Sequence, residues 1–231
     1  MIQPNGGGMT SVPNQTARRL FAPIARTYER WARILSFGQD GHWRRVMVGG
    51  LSLPSGCKVL DVAAGTGSIS RRLQAMGHRV TAVDLSGEML GFHPGPERVQ
   101  ARAEMLPFDA GTFDALTFGY LLRYVEDPIS CLTELARVVK SGGRIGMVEF
   151  GLPSGVWKQA WVVYAGLILP TAGRLISPGW YEVGRFLRGS IEDFHSTYSD
   201  PAFLWREAGL IDVEVRCMSL GGGLVMWGRK P

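Results

Sequence analysis

The sequence predicts an α/β fold in which a mostly parallel β-sheet carries helices on both of its faces. From residue 57 onward, short apolar runs alternate with helical segments, and two of the early runs end in or beside an aspartate. Parallel strands need crossover connections, which helices usually supply, so the alternation indicates repeated βαβ units. The 231 residues, 45% of them apolar, supply a sizeable core, and 31 glycines without a period indicate many tight turns.

Seven strands are expected in this sheet. They are predicted at 57–62, 79–84, 98–102, 113–118, 144–150, 211–217 and 224–228. Helices are predicted between them near 68–76, 128–140 and 201–208, where apolar residues recur at helical spacing. No internal repeat or second domain is evident, so residues 16–231 are expected to form one domain.

The segment before the first strand is expected to form a helical cap over residues 16–51. Residues 1–15 are polar, glycine-rich and aperiodic, which is typical of a disordered tail. A helix is predicted next, with Pro23 in its first turn, where proline is tolerated. Its apolar stripe consists of Leu20, Ile24, Tyr28, Trp31 and Leu35. A second helix is predicted after Asp40.

Residues 152–195 interrupt the alternation and predict a helical insertion rich in aromatic side chains. Two interpretations stay open for it. One is packing against the sheet or against a second copy of the chain in a homodimer; the other is a lid over a hydrophobic ligand. Its apolar run at 161–170 is about half of the roughly 20 residues that a membrane-spanning helix needs, so no span is predicted.

The net charge of +5 comes from the N-terminal segment, because the first 50 residues contain seven arginines and only two carboxylates. Arg19, Arg26, Arg30 and Arg33 share one face of the predicted first helix. A basic amphipathic helix of this kind can lie on an anionic membrane, cap a pocket, or carry solvated arginines. Nucleic acid is not expected as a partner, because the other helix face is apolar and no nucleic-acid-binding motif occurs.

The cysteines indicate the compartment. Cys57, Cys131 and Cys217 lie far apart and have no histidine at ligand spacing, which predicts free thiols in a reducing cytosol and no metal site. No charged segment followed by an apolar one opens the chain, so no signal peptide is expected. The expected location is the cytoplasm, and the basic helix extends this expectation to peripheral contact with the inner membrane surface.

The segment DVAAGTG, residues 61–67, closes the first strand and opens a helix. Its glycines let a ligand approach the backbone, and the helix start offers unpaired N–H groups. The dinucleotide fingerprint is incomplete, because Ser70 stands where its third glycine belongs. Asp84, at the end of the next strand, can accept both hydroxyls of a ribose. Asp61 adds a negative charge that repels a pyrophosphate and suits the amino and sulfonium groups of S-adenosylmethionine.

At these residues the chain resembles the class I S-adenosylmethionine-dependent methyltransferases and, more narrowly, the ubiquinone/menaquinone-biosynthesis C-methyltransferase family. The resemblance runs from about residue 21 to the C-terminus. The motifs VLDVAAGTG (59–67) and AVDLSGEML (82–90) are shared across the superfamily, whereas SFGQDGHWRR (36–45) and LPTAGRLIS (169–177) are more specific to the quinone branch. The resemblance implies a Rossmann-like class I methyltransferase fold and S-adenosylmethionine as cofactor.

The resemblance also implies which residues bind the cofactor. Gly65 and Gly67 would line its methionine portion, Asp84 its ribose, and Met89 one face of its adenine. The full expected set is Asp61, Ala63, Gly65, Thr66, Gly67, Asp84, Leu85, Met89, Ala103, Glu104 and Gly119. The family usually has an aspartate where Arg102 stands, so one contact with the adenine amino group is not expected.

Methylation of a quinol on carbon requires removal of a phenolic proton, hence a base or an anion-stabilising group beside the cofactor. By the resemblance, Arg123 would stabilise the phenolate and Tyr28 would orient the acceptor. Tyr124 completes the expected catalytic set, although the family usually has asparagine there. Likewise, the family usually has an aspartate at the position of Glu29. His42 and His195 stay open as alternative bases.

The sequence therefore predicts an S-adenosylmethionine-dependent methyltransferase that C-methylates a hydrophobic quinol-type acceptor, as in menaquinone or ubiquinone biosynthesis. Two alternatives stay open. One is a methyltransferase for another lipid or natural product. The other is a cofactor-binding relative that has lost the transfer reaction, an alternative motivated by Arg102 and Tyr124.

Overall fold

A seven-stranded sheet forms the centre of the computed structural model, which describes residues 11–231. The strands are β1 (Lys58–Val62), β2 (Arg79–Asp84), β3 (Arg98–Gln100), β4 (Phe113–Gly119), β5 (Val139–Phe150), β6 (Ile211–Met218) and β7 (Gly223–Arg229). Their spatial order is β3-β2-β1-β4-β5-β7-β6. β7 pairs antiparallel with β5 and β6, and the other neighbours pair in parallel. The predicted α/β fold with a mostly parallel, seven-stranded sheet is confirmed.

Helices cover both faces of this sheet. They are α1 (Val12–Phe21), α2 (Tyr28–Leu35), α3 (Gln39–Gly50), α4 (Ser68–Ala75), α5 (Gly87–Leu90), α6 (Pro128–Arg137), α7 (Gly155–Val163), α8 (Leu169–Ile176), α9 (Pro178–Thr197) and α10 (Pro201–Glu207). Short 3₁₀ turns occur at Ala22–Thr27, Leu122–Tyr124 and Ser219–Gly221.

Two apolar cores, one on each face, hold these layers together. Val59 of β1 belongs to the core shared with α3 and α4, and Leu60 belongs to the core shared with α6 and α10. Consecutive strand residues point to opposite faces, so neighbours on one strand serve different cores. Both side chains are fully buried. A central strand buried on both faces needs the continuous apolar run that the sequence shows.

The N-terminal segment differs from its prediction. The disordered tail expected over 1–15 does not extend that far, because α1 already begins at Val12, capped by the Ser11 hydroxyl. Asn14 is buried, and its amide donates a 2.7 Å hydrogen bond to the Glu104 carboxylate, a tertiary contact that no periodicity predicts. Residues 1–10 of the expected tail lie outside the described residues. Pro23 lies in the 3₁₀ turn between α1 and α2.

The insertion at 152–195 is helical, as its composition predicts. α7 continues through a π-helical segment, Tyr164–Ile168, into α8, so one long helix runs from residue 155 to residue 176. α8 and α9 then form a tight hairpin. Glycine makes this close approach feasible, because a Cβ on Gly173 would lie 2.4 Å from the carbonyl oxygen of Trp180.

Three predicted boundaries were wrong. β5 begins at Val139, and α6 ends at Arg137 rather than near residue 140, because Val139 already pairs with Phe113 at the sheet edge before the register shifts. β3 ends at Gln100 rather than at residue 102. Arg102 instead forms an isolated bridge with Met105.

Candidate active site

The glycine loop turns sharply between β1 and α4. Ala63, Gly65 and Gly67 all have positive φ angles, of 53°, 56° and 89°. A Cβ on Gly67 would lie 2.7 Å from the ring of His93, and one on Gly65 would lie 3.2 Å from the Met89 methyl group. The loop therefore needs glycine at both positions, at Gly67 for packing and at Gly65 beside the pocket that the loop borders.

Asp84 closes this loop from the neighbouring strand end. One carboxylate oxygen accepts from the backbone N–H of Gly65 and the other from that of Ser86, both at 2.8 Å. Burial raises the pKa of Asp84 above its ordinary value. These bonds hold the carboxylate rigidly at the pocket wall, and a carboxylate that accepts a few backbone hydrogen bonds still has acceptor capacity for a hydroxyl group.

These residues surround a cavity of about 110 Å³ at the carboxyl ends of β1, β2 and β4. Eight residues of the expected cofactor set line it: Ala63, Gly65, Thr66, Asp84, Leu85, Met89, Ala103 and Gly119. Helix α1 covers the cavity with Asn14, Ala17, Arg18 and Phe21. We call this cavity the cofactor pocket. Apolar side chains flank it and one fixed carboxylate faces it, a lining of the chemical character that a nucleoside requires.

Three residues of the expected set lie behind the pocket and do not line it. Asp61 is fully buried beneath the loop, where it accepts from the hydroxyls of Ser70 at 2.6 Å and Thr117 at 2.9 Å. Its burial raises its pKa to about 6. Gly67 packs against His93, and Glu104 lies 3.6 Å from Arg102 besides bonding Asn14. They support the loop and the cap from outside the pocket.

Glu29 connects the cap to the glycine loop, a contact that sequence spacing alone does not predict. Its carboxylate accepts from Thr66 at 2.8 Å and from Ser68 at 3.2 Å, and it pairs with Arg71. Burial works against ionisation, but the hydrogen bonds from Arg71 and Thr66 outweigh it, so the pKa of Glu29 is lowered. Arg18 of α1 also lies 3.3 Å from Glu88. The cap therefore contacts the walls of the pocket that it covers.

A second, apolar cavity of about 300 Å³ adjoins the cofactor pocket. Its walls come from the cap and from the insertion, including Leu35, Trp161, Tyr164, Ala165, Leu169, Trp180 and Leu187. Phe21, Tyr28 and Tyr120 line both spaces and so mark the junction between them. We call this space the acceptor cavity; the lid interpretation of the insertion is consistent with it.

Arg123 lies at the floor of the acceptor cavity but is only 1% exposed. Its Nε donates to Glu149 at 3.1 Å, and another guanidinium nitrogen donates to Ser190 at 2.6 Å. Burial alone disfavours its charge, but Glu149 outweighs that cost, and the pKa of Arg123 rises. Its charge is therefore largely balanced by Glu149, which limits what it can offer to a bound anion.

The two tyrosines of the expected catalytic set meet in an aromatic cluster. Tyr28 stacks on Trp180 with ring centroids 6.2 Å apart, and Phe21 contacts the edges of both Tyr28 and Tyr124. Burial raises the pKa of Tyr28 to about 12, and it also raises that of Tyr124. Both phenols therefore stay protonated at neutral pH.

A hydrogen-bonded group that the sequence did not single out lies beside this cluster. The Tyr120 hydroxyl donates to Asp40 at 2.6 Å, and the Nε of Arg44 donates to both oxygens of Asp40, at 2.8 and 3.0 Å. The one sequence signal was indirect: Asp40 and Arg44 are four residues apart within the SFGQDGHWRR motif.

The alternative bases lie in other settings. His195 bonds the backbone oxygen of Phe150 at 2.9 Å through Nε2, and His42 is exposed on α3. Within residues 11–231, no cluster of three or more metal-ligating side chains occurs. In the same range, no helix combines the length and the apolar character needed to cross a bilayer.

Solved structures share this architecture. An S-adenosylmethionine-dependent methyltransferase of Thermotoga maritima superposes with a TM-score of 0.63 at 20% identity, covering 93% of this chain and 99% of that one. One from Aquifex aeolicus superposes with a TM-score of 0.54 at 17% identity, covering 80% and 88%. The fold is that of the class I S-adenosylmethionine-dependent methyltransferases.

Sequence relatives narrow the class. A demethylmenaquinone methyltransferase of Tropheryma whipplei is 34% identical over 88% of this chain and 87% of its own length. A ubiquinone/menaquinone biosynthesis C-methyltransferase of Desulfotalea psychrophila is 35% identical, covering 92% and 89%. The model of the ubiE/COQ5 methyltransferase family matches residues 9–230. The chain belongs to that family, and it is an S-adenosylmethionine-dependent methyltransferase.

Proposed function

We propose that this enzyme transfers a methyl group to a ring carbon of a hydrophobic quinol. The observation that carries the proposal is the acceptor cavity, which is mostly apolar and adjoins the cofactor pocket. Relatives named for demethylmenaquinone and ubiquinone methylation support the same acceptor class.

The cofactor pocket determines how the methyl donor is oriented. We propose that Asp84 accepts from the ribose hydroxyls, that Met89 and Leu85 flank the adenine, and that the loop at Gly65 holds the methionine portion. When bound there, S-adenosylmethionine supplies an electrophilic methyl group. Asp61, Gly67 and Glu104 then act through the loop and the cap that they support.

The acceptor cavity orients the other reactant. Trp161, Leu169 and Trp180 offer apolar surface to a prenyl chain, while the quinol ring faces the junction at Tyr28 and Tyr120. An in-line displacement needs close, aligned reactants and a dry site more than it needs covalent help. The aromatic cluster excludes water. Tyr28, protonated and at the junction, orients the ring by donating a hydrogen bond, while Tyr124 lines the cofactor side of the cluster.

A direct assay tests this proposal. The protein is incubated with S-adenosylmethionine and a reduced, demethylated naphthoquinol carrying a short prenyl chain, and the product is examined by mass spectrometry and NMR. We expect one added methyl group on ring carbon. Cofactor binding without turnover on a panel of quinols would favour the relative that has lost transfer, and turnover only on other lipids would favour the other alternative.

A matched pair of variants locates the acceptor. Ala165 is buried and lines the cavity, whereas Ala160 is exposed on the same long helix. We expect Ala165→Leu to raise the KM for the quinol at least tenfold without changing the Kd for the cofactor, because the added atoms occupy acceptor space. Ala160→Leu should change neither. Equal KM values in the two variants would contradict this placement of the acceptor.

We also propose that the outer face of the long helix 155–176 rests on an anionic lipid surface. No residue of α7 is buried, although six of its nine residues are valine, tryptophan or alanine in the run VWKQAWVV. Val156, Val163 and Leu167 recur on one face, and Leu175 is 85% exposed. Such a face, flanked by Lys158 and Arg174, suits a bilayer.

The cap continues this surface. Tyr164 hydrogen-bonds the backbone oxygen of Leu35, which brings the end of α2, with exposed Ile34 and Arg33, next to the long helix. Phe37, 77% exposed, lines the acceptor cavity and marks a side that opens outward. The exposed arginines of the cap, Arg19, Arg26, Arg30 and Arg33, supply charge complementary to anionic lipid.

Flotation with phosphatidylglycerol vesicles tests the membrane proposal. We expect Leu167→Ser/Leu175→Ser to weaken binding several-fold, and charge reversal of the four cap arginines to weaken it further. Phe203→Ser, at a comparably exposed site on α10, is the control. Unchanged flotation of both sets of variants would refute the proposal, as would a homodimer that buries this face in solution.

A further inference from the structure

The group formed by Tyr120, Asp40 and Arg44 lies where the two reactants would meet. Tyr120 lines both the cofactor pocket and the acceptor cavity, Asp40 lines the acceptor cavity, and Arg44 lines the cofactor pocket. The 2.6 Å bond from the Tyr120 hydroxyl to Asp40 Oδ1 joins them. The group therefore bridges donor and acceptor space at the carboxyl end of β4.

The backbone at Tyr120 is held in an unfavourable conformation. Its φ angle is +56°, a left-handed value that costs a side-chain-bearing residue roughly 1 kcal/mol or more. The conformation is retained because the Tyr120 N–H bonds Val148 at 2.9 Å and its ring packs on Phe150, with centroids 4.6 Å apart. This geometry directs the phenol across the junction towards Asp40.

Arg44 fixes the other end of the group. Its side chain is only 7% exposed, and the guanidinium also lies 5.1 Å from the centre of the Tyr120 ring. The Nε of Arg44 donates to both oxygens of Asp40, and Oδ1 also accepts the hydrogen bond from Tyr120. Other groups that act on Asp40 and Tyr120 are Arg44 itself, Arg72, which brings a second positive charge near Asp40, and Tyr28, which carries no charge.

We propose that Tyr120 and Asp40 form the proton relay that activates the acceptor, an inference that rests on quinol methylation as the proposed function. The Tyr120 oxygen, whose hydrogen is directed to Asp40, turns a free lone pair towards the quinol hydroxyl. It takes the phenolic proton while passing its own proton to Asp40. Tyr120 touches the acceptor and is the catalytic residue; Asp40 acts through Tyr120 and positions it.

Protons and electrons balance in this step. As the quinol O–H bond breaks, its electron pair enters the ring, and the ring carbon forms the bond to the methyl group. The methyl–sulfur bond breaks and leaves its pair on sulfur. The methylated carbon then loses its hydrogen to solvent as a proton, which restores the aromatic ring, and the ring oxygen regains a proton through Tyr120. Asp40 ends ionised, and one proton is released.

Tyr120 and Asp40 are better suited than Arg123 to accept the proton of the quinol hydroxyl. The charge of Arg123 is balanced by Glu149, and a guanidinium does not accept a proton. A quinol and a tyrosine are both phenols of similar proton affinity, so exchange between them costs little. Burial beside Asp40 raises the pKa of Tyr120 well above 10, which means that Tyr120 yields its proton only as it receives another.

Tyr120→Phe and Asp40→Asn test the relay. Both should lower kcat by about 10²- to 10⁴-fold, the usual range for a general base. Calorimetric Kd values for S-adenosylmethionine should stay near those of the unaltered enzyme, because the aromatic ring and the shape of the pocket remain. Tyr198→Phe, which removes a hydroxyl from a tyrosine packed on Phe194 away from both cavities, should leave kcat unchanged.

Acceptor analogues distinguish a relay from a structural role. A quinol with electron-withdrawing substituents ionises more easily, so it needs the relay less. The ionised fraction of the acceptor grows tenfold for each unit by which its hydroxyl pKa falls. In both variants, kcat should therefore gain more from such a fall in pKa than it does in the unaltered enzyme. Equal slopes in variants and unaltered enzyme would overturn the relay. Failure of the unaltered enzyme to methylate any quinol would overturn the proposed function instead.

Discussion

Asp61 shows how a single residue can support a loop from below without lining the pocket beside it. It is buried beneath the loop, and burial raises its pKa to about 6 from the ordinary 3.8, despite the two hydroxyls that donate to it. Between about pH 4 and pH 6 the folded protein therefore retains a proton that the unfolded chain has lost. The free energy of unfolding should fall as pH rises through this window, by about 3 kcal/mol in total, and then stay level.

The variant Asp61→Asn isolates this contribution. An amide does not ionise, so its free energy of unfolding should lack the fall between pH 4 and pH 6. Denaturant titrations of both proteins across that range measure the difference. A constant difference between the two proteins at all pH values would contradict the assigned origin.

The buried pair of Arg123 and Glu149 separates stability from catalysis. Arg123→Ala leaves Glu149 buried and unpaired, which should destabilise the fold by about 3–5 kcal/mol. The double variant Arg123→Met/Glu149→Gln removes both charges and should regain most of that stability in thermal unfolding. If the double variant also has the kcat of the unaltered enzyme, Arg123 has only a structural role. A double variant that is stable but has a low kcat supports the predicted role of Arg123 in stabilising the ring anion.

At the scale of elements, the hairpin of α8 and α9 depends on one close approach. Gly173→Ala would place a methyl group 2.4 Å from the Trp180 carbonyl oxygen, so the helices must separate, at a cost of roughly 1–3 kcal/mol. Gly189→Ala on α9 is the matched control, since open space surrounds that position. It should stabilise by about 0.5–1 kcal/mol. Thermal unfolding measures both, and destabilisation of equal size at the two sites would count against the packing argument.

The cap is the second element with a measurable role. Glu29 joins α2 to the glycine loop through Thr66, Ser68 and Arg71. Glu29→Gln should increase the rate of cofactor release by several-fold in stopped-flow measurements, because the neutral amide holds Arg71 more weakly. Arg33→Gln, exposed on the same helix, should release the cofactor at the original rate. An unchanged rate in Glu29→Gln would show that the cap does not control release.

At the scale of the whole molecule, cofactor binding should tighten the cap and the sheet together. A ligand at a hundredfold its Kd adds about 2.7 kcal/mol to the free energy of unfolding. For a chain of this size, that raises Tm by roughly 5–10 °C. Differential scanning calorimetry measures the shift, and hydrogen exchange should slow in α1 and α2. Asp84→Asn should lose most of this shift; retention of the full shift would place the nucleoside elsewhere.

The strand pattern, the glycine loop and the aspartate at the end of β2 were all readable from the sequence. Apolar runs of strand length alternate with helical segments along the chain, and Asp84 ends one of these runs. Both patterns can therefore be recognised without the fold. The contacts of Asn14 with Glu104 and of Tyr120 with Asp40 span 90 and 80 residues. Without the fold, no spacing rule links such pairs, which is why neither the start of α1 inside the expected tail nor the contact of Tyr120 with Asp40 was predicted.

The sequence by itself therefore determined the class of fold, the glycine loop and the family, because local periodicity and short motifs specify strands, turns and loop chemistry. Only the tertiary structure decided which carboxylates face the pocket. It buried Asp61, neutralised Arg123 with Glu149, and brought Tyr120 to Asp40 at the junction of two cavities. These outcomes depend on burial and on partners distant in the chain, and the free energy of a charged or polar group depends on both.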